Sequence, residues 1–347
     1  MREGISMKLC TFSVATPLGP LVRTGVVTDM GVIDAAAARS AFLERSLPMA
    51  AAARVGEAQV PADMLALIGS GPQTMEWLKE AVEAAVASGR ETAMKGMRMV
   101  HALADVHLLA PVPRPAGIAN FSVWPAHSAD AAKRGVTLTA ASADAAVKPY
   151  WKGNPDSVVG PGTTLEVPPY ADTIDVECEF GCVVGLGGRD LDRPGAERAI
   201  AGYTILNDVS ARAVQLVEMK SGRGPSKGKD FDTGNAMGPW IVTPDELGDP
   251  KALTMSLVVN GEVLSTCPTS GMVWDFPEML SYLSIGQTVP PGQVISAGCY
   301  AGGSARECGR VMRPGDRVEL RISGIGSLNS TIGTRQPGRH IPVPDAS

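Results

Sequence analysis

Lysine and arginine never gather into a run in this chain of 347 residues, and the formal net charge is only −5. Without a basic stretch, neither nucleic acid nor an anionic membrane surface is an expected partner. No uninterrupted apolar run reaches the roughly 20 residues that a membrane-spanning helix needs. The N-terminus has neither the basic start nor the apolar stretch of a secretory leader, and Met7 offers a second start after Ser6; no leader is expected, and 1–6 stay outside the fold argument. Cysteine is sparse: Cys10, Cys178, Cys182, Cys267, Cys299 and Cys308 are scattered and form no Cys-x-x-Cys pair. This argues against a disulfide framework and for reduced thiols in the cytoplasm. Charged residues make up 19% and hydrophobic residues 44% of the chain, enough apolar material for one large or two modest domains.

What is present centres on 174–233. The run Ile174-Asp175-Val176-Glu177-Cys178-Glu179-Phe180 reads as a strand in which Glu177 and Glu179 share one face while Val176, Cys178 and Phe180 share the other. Neighbouring carboxylates on an apolar strand resist burial unless something neutralises them. A divalent cation would do so; a solvated pair on an edge strand is the other reading. A second apolar strand, from Gly202, ends in Asp208. Three oxygen donors without His or Cys on the same faces favour Mg²⁺, Mn²⁺ or Ca²⁺ over zinc.

Taken in order, Met7 to Val14 reads as a strand and Val22 to Asp34 as a strand pair turning at Thr28-Asp29-Met30-Gly31. Ala35 to Gly56 is helical by propensity, Pro61 to Ile68 suggests a short helix, and Thr74 to Ala104 a longer one broken near Ser88-Gly89. Three prolines between Pro111 and Pro115 make an extended connector. The expected organisation is an N-terminal α+β domain (1–106), a catalytic domain (107–335) and a tail (336–347).

Histidine is rare, four residues in all. His127 precedes Asp130 by three positions, so a helical turn puts them on one face, as an oriented general base requires; a surface helix start carrying an incidental histidine is the other reading. Ala131 to Val147 is a connector or lid. The Gly/Pro-punctuated loop 149–162 contains Tyr150, Trp151 and Lys152 and suits either a pocket lining or an ordinary β-connection. Arg212 and Gln215 follow Asp208, positioned either for a substrate carboxylate or as a helix-surface pair. In 222–234, Lys229 is followed by Asp230, so the phosphate-loop order Gly-x-x-x-x-Gly-Lys-Ser/Thr is absent. A lysine there suits stabilisation of an oxyanion beside a metal. Beyond Trp240 come strands around an Asn260-Gly261 turn, a helix from Phe276 to Leu283, and a Gly-rich β region from Val294 to Ile325.

Together, Asp-Val-Glu-Cys-Glu-Phe, Gly-Tyr-Thr-Ile-Leu-Asn-Asp-Val-Ser-Ala-Arg, Gly-Lys-Asp-Phe-Asp-Thr and the Gly-rich final strands resemble the fumarylacetoacetate hydrolase superfamily over roughly Leu108 to Gly333. The resemblance implies an α+β, β-rich fold with a roll-like catalytic domain, Mg²⁺ or a similar ion, a keto-acid substrate and a homodimer. By position it implies Glu177, Glu179 and Asp208 as metal carboxylates, Asn120 in place of a fourth ligand that is usually Asp, His127 as the water-activating base, and Glu307 as its acid partner, competing with Asp130. Lys229 matches a charge-stabilising lysine. Arg212, Gln215, Tyr150 and Cys299 fall on the substrate side, Cys299 where Thr is common, and Ala213 replaces the usual Asp. The implied reaction is C–C hydrolysis of a 1,3-diketo acid. Decarboxylation or keto–enol tautomerisation of a related acid is the alternative, and a repurposed, non-catalytic protein a third reading.

Overall fold

The computed structural model describes residues 7–93, 96–133 and 141–342, with the side chains of 130–133 outside the description. Its largest unit is a twelve-stranded sheet. Across the sheet run Val100–His101, Gly31–Asp34, Gly19–Thr28, Lys8–Thr16, Asn235–Val242, Ile200–Asp208, Glu177–Val184, Gln293–Ser304, Gly117–Phe121 and Tyr150–Gly153. Two short strands, His107–Leu108 and Val158–Val159, attach beside this path. The N-terminal hairpins are therefore part of the sheet that carries the glutamates, because Lys8 and Leu9 pair with Val242 and Ile241. The division expected at residue 106 separates stretches of sequence, not sheets. A second, five-stranded sheet runs Glu262–Pro268, Thr254–Val259, Arg317–Ile322, Gly326–Arg335 and Thr164–Val167.

Alternation along Glu177–Val184 explains the layering, since all eight of its residues are buried. Cys178, Phe180, Cys182 and Val184 enter a core with Met255, Leu257, Leu320 and Ile322 of the five-stranded sheet. Val183 enters a different core, with Leu67, Leu78 and Val82 of the N-terminal helices. Phe180 meets Phe276 edge-on, with ring centroids 4.8 Å apart, and lies 5.6 Å from Tyr203. Fully burying one such ring contributes about 1.5–3 kcal/mol. Asn260 and Gly261, at φ +54 and +85, make the expected hairpin turn. All six cysteines are free.

The N-terminal helices differ from expectation in two places. The run from Ala35 divides into Ala35–Leu43 and Met49–Gln59, with Pro48 at the start of the second. The helix Pro72–Ser88 ends at the expected break, Gly89, which adopts φ +60 as a left-handed cap, and among the described residues no α-helix resumes as far as Ala104. Residues expected to continue the helix instead supply the strand Val100–His101, paired with Gly31–Asp34; long-range pairing overrides local propensity there. No helix of the described residues is long and apolar enough to cross a membrane.

Candidate active site

The glutamates reach a common point because three strands end together. Glu177 and Glu179 lie on one face of their strand, Asp208 closes the neighbouring strand Ile200–Asp208, and Ser296 and Cys299 stand on the strand across from them. One oxygen from each of Glu177, Glu179 and Asp208 falls within a 4.8 Å cluster, and all three side chains are buried. Asn120 enters from Gly117–Phe121, whose parallel pairing sets it beside Ser296. Its amide nitrogen donates to Glu179 at 2.9 Å and Asp208 at 3.0 Å. As placed, Asn120 serves the carboxylates as a donor; ligation through its oxygen requires the amide to turn.

Two cations answer the carboxylates. Lys229 Nζ donates to Glu177 and Asp208 and lies 5.5 Å from the Trp151 ring centre. Its loop is tied down by Glu218, whose carboxylate accepts from Ser226 N at 2.9 Å and Gly228 N at 3.1 Å. A side chain at Gly228 would meet Gln215 Cα at 2.7 Å. Arg212 heads the helix Arg212–Lys220 and donates to Asp175 at 2.7 Å, Glu177 at 2.8 Å and the Gln215 amide oxygen at 2.9 Å. Four carboxyl groups thus face two cations, so with all four ionised the cluster lacks two positive charges. Asp208 Oδ1 is buried with no hydrogen bond. An oxygen-only donor set with this charge fits a hard divalent cation.

The ionisation pattern follows. Burial, then the Asp208 and Glu177 charges, push Glu179 well above the ordinary carboxylate range. Burial, joined by Glu177, lifts Asp208 to about 6 against the pull of Lys229. Burial acts on Glu177 too, but Arg212 and Lys229 overcome it and hold that carboxyl low.

These groups line a cavity of about 650 Å³ together with His127, Tyr150, Trp151, Leu216, Met219, Cys299, Arg306 and Glu307. His127 sits in the first turn of the helix Pro125–Lys133. Its Nδ1 is 3.1 Å from Glu307 Oε1, within ion-pair range but out of line for a hydrogen bond. The other Glu307 oxygen accepts from Gly302 N at 2.8 Å. Cys299 follows Gly298, whose φ of +77 and 2.1 Å approach of a would-be Cβ to Phe121 O admit only glycine. Burial, then Glu177, Glu307 and Glu179, raise the Cys299 thiol well above its usual value.

Residues 123–333 match the family model described as fumarylacetoacetate (FAA) hydrolase C-terminal. The chain belongs to the fumarylacetoacetate hydrolase family. A Burkholderia ambifaria protein provisionally named a hydrolase is 37% identical over 52% of this chain and 64% of its own length. The chain thus spans less than two thirds of that relative. Maleylpyruvate hydrolase of Sphingobium sp. SYK-6 aligns over 94% of this chain and all of its own, with TM-score 0.66 and 25% identity. Another structure of that enzyme, 24% identical, holds manganese(II) and pyruvate. A 5-carboxymethyl-2-hydroxymuconate delta-isomerase from Mycobacterium smegmatis covers 69% of this chain and 86% of its own, with TM-score 0.56 and 28% identity.

Of the site residues expected from sequence, the structure gathers Asn120, His127, Tyr150, Glu177, Glu179, Asp208, Arg212, Gln215, Lys229, Cys299 and Glu307 around this cavity. The side chain of Asp130 and residues 134–140 of the 131–147 connector lie outside the described residues. Ala213 is exposed and away from the cavity, so its departure from the family pattern touches nothing there. The Arg212 guanidinium is engaged by Asp175, Glu177 and Gln215, which makes it a brace for the carboxylates. Sequence reading missed Asp175, although it shares the Glu177 and Glu179 face by the same two-residue period. It also missed Ser296, whose hydroxyl donates to Glu179 at 2.6 Å, and Arg306, exposed at the cavity rim and in no ion pair among the described residues.

Proposed function

We propose that this chain is a divalent-metal-dependent hydrolase that cleaves a C–C bond in a 1,3-diketo acid of the acylpyruvate or fumarylacetoacetate type. One observation carries the reading: a buried oxygen-only cluster of Glu177, Glu179 and Asp208 shares a cavity with a histidine–carboxylate pair. Glu177, Glu179 and Asp208 would hold the ion, with the Asn120 oxygen as a further donor; Mg²⁺, Mn²⁺ and Ca²⁺ all suit that set. When bound, such an ion polarises the diketo oxygens and stabilises the enolate that leaves.

The chain's own groups account for the remaining steps. His127, held beside Glu307, takes a proton from a water molecule, and that water attacks the distal carbonyl. Lys229 offers its ammonium to the oxyanion. Because Arg212 is committed to Asp175 and Glu177, Arg306 is the guanidinium for a substrate carboxylate. The C–C bond breaks, the released enolate takes up a proton, and two acids result. Leu216, Met219, Tyr150 and Trp151 on the cavity wall favour an apolar acyl group.

The experiment is turnover of an acylpyruvate panel by metal-stripped and by Mg²⁺- or Mn²⁺-loaded protein, followed through loss of enol absorbance and product masses. Metal-dependent formation of two acids supports the proposal. Metal-dependent release of CO₂, or an isomer of unchanged mass, would replace it with decarboxylation or tautomerisation; the likeness to an isomerase keeps that second reading in view.

A further inference from the structure

We propose that His127, Cys299 and Glu307 form a second metal site, selective for a thiophilic divalent cation of the Zn²⁺ kind and distinct from the carboxylate cluster. A ring nitrogen, the Cys299 sulfur and a carboxylate oxygen lie within 4.8 Å of one another. His127 Nδ1 and Glu307 Oε1, 3.1 Å apart, are already spaced close to the edge of a tetrahedron built on metal–ligand bonds of about 2.0–2.2 Å. That nitrogen is sealed from solvent and makes no hydrogen bond. Among the described residues the Cys299 thiol has only a weak contact, 3.4 Å to the Tyr300 carbonyl, so binding a metal as thiolate releases its proton but breaks no strong hydrogen bond.

The two sites differ in chemistry while sharing a strand pair, since Cys299 stands directly across from Glu179. Thiolate and imidazole select zinc-like ions, whereas a carboxylate set takes hard cations. Three protein ligands leave a fourth position open toward the cavity, as in a site that exchanges its ligands and unlike a closed structural one. Occupancy by Zn²⁺ takes up the His127 lone pair and a Glu307 oxygen, so Zn²⁺ inhibits where Mg²⁺ or Mn²⁺ activates. Inhibition rests on the proposed reaction; binding does not.

The test adds Co²⁺ to Mg²⁺-saturated full-length protein and records the sulfur-to-cobalt charge-transfer absorption in the near ultraviolet. One equivalent should develop the band, and Zn²⁺ should remove it by displacement. The band should vanish in Cys299→Ala and persist in Cys308→Ala, which controls for the half-buried Cys308 thiol. His127→Asn, which keeps the cysteine, should weaken Zn²⁺ binding by roughly tenfold or more, at least the loss seen for outer-shell changes. Absence of the band in the wild-type protein, or its survival in Cys299→Ala, overturns the site. A band that obeys these rules while Zn²⁺ leaves turnover untouched upholds the site and removes His127 from the proposed reaction.

Discussion

Asp175 grips Arg212 through two guanidinium nitrogens, at 2.7 Å to Nε and 2.6 Å to Nη2, while Arg212 reaches on to Glu177 at 2.8 Å. This relay fixes the first glutamate of the cluster from behind. Asp175 also accepts from the backbone nitrogen of Arg306 at 3.0 Å, so one buried carboxylate braces both sides of the cavity mouth.

Asp175→Ala leaves the Arg212 charge half-satisfied. Removing one partner of a buried ion pair costs about 3–5 kcal/mol; because Arg212 is 21% exposed, the lower end is expected. Loss of a residue that orients a ligand should lower divalent-metal affinity about 10–100-fold. Denaturant unfolding and metal titration measure the two effects, and unchanged metal affinity would show that Glu177 keeps its place without the relay.

Glu179→Gln separates metal binding from stability. Burial beside Asp208 and Glu177 pushes the Glu179 carboxyl well above its ordinary range, so keeping this group in place opposes folding when no metal is present. The amide should raise the melting temperature of the metal-free protein by on the order of 2 °C, equivalent to about 1 kcal/mol, while abolishing the stabilisation by Mn²⁺ that the proposed site predicts for the wild type. Thermal melts with and without Mn²⁺ decide it; a lower metal-free melting point contradicts the electrostatic account.

His127→Ala should reduce turnover by about 10²–10⁴-fold, the usual contribution of a positioned base, with Mn²⁺ affinity preserved. Glu307→Gln should have a smaller effect of the same sign and should shift the pH–rate profile. Full activity in His127→Ala would leave the histidine without a role.

Asp275 caps the helix Phe276–Leu283 by accepting from Glu278 N at 3.0 Å, and it pairs with Arg193. Burial alone would raise this carboxyl, but the Arg193 hydrogen bond and the cap hold it below its ordinary value. Its stabilising contribution is therefore complete above the unfolded value of about 3.9 and fades as pH falls through the lower folded one. Asp275→Ala should cost about 1 kcal/mol at pH 7, and the gap from wild type should begin to narrow as pH falls below about 4. A gap independent of pH would mean the loss is not electrostatic.

The helix from Phe276 to Leu283 was legible to the residue because Asp275, Pro277 and the apolar spacing all mark the same segment. The carboxylate face was legible for a comparable reason, the two-residue period of a strand. Arg212 was legible only as a cation near the site. Its commitment to Asp175 depends on the bridge between Asp175 and Ser210, which no local pattern announces. Asn120 meets Glu179 only because Gly117–Phe121 lies parallel to Gln293–Ser304, a pairing across more than half the chain. The stretch after the expected break at Gly89 shows the reverse case, its helical propensity overruled by the pairing of Val100–His101 with Gly31–Asp34.

Product analysis in H₂¹⁸O is the most direct test of the central claim. Metal-loaded protein acting on a 1,3-diketo acid should place one ¹⁸O in the carboxylate of the acyl-derived product, with that label formed only when the metal is present and His127 intact. Turnover that leaves this fragment unlabelled, with CO₂ or an isomer as the product, would contradict a hydrolytic role for the cavity.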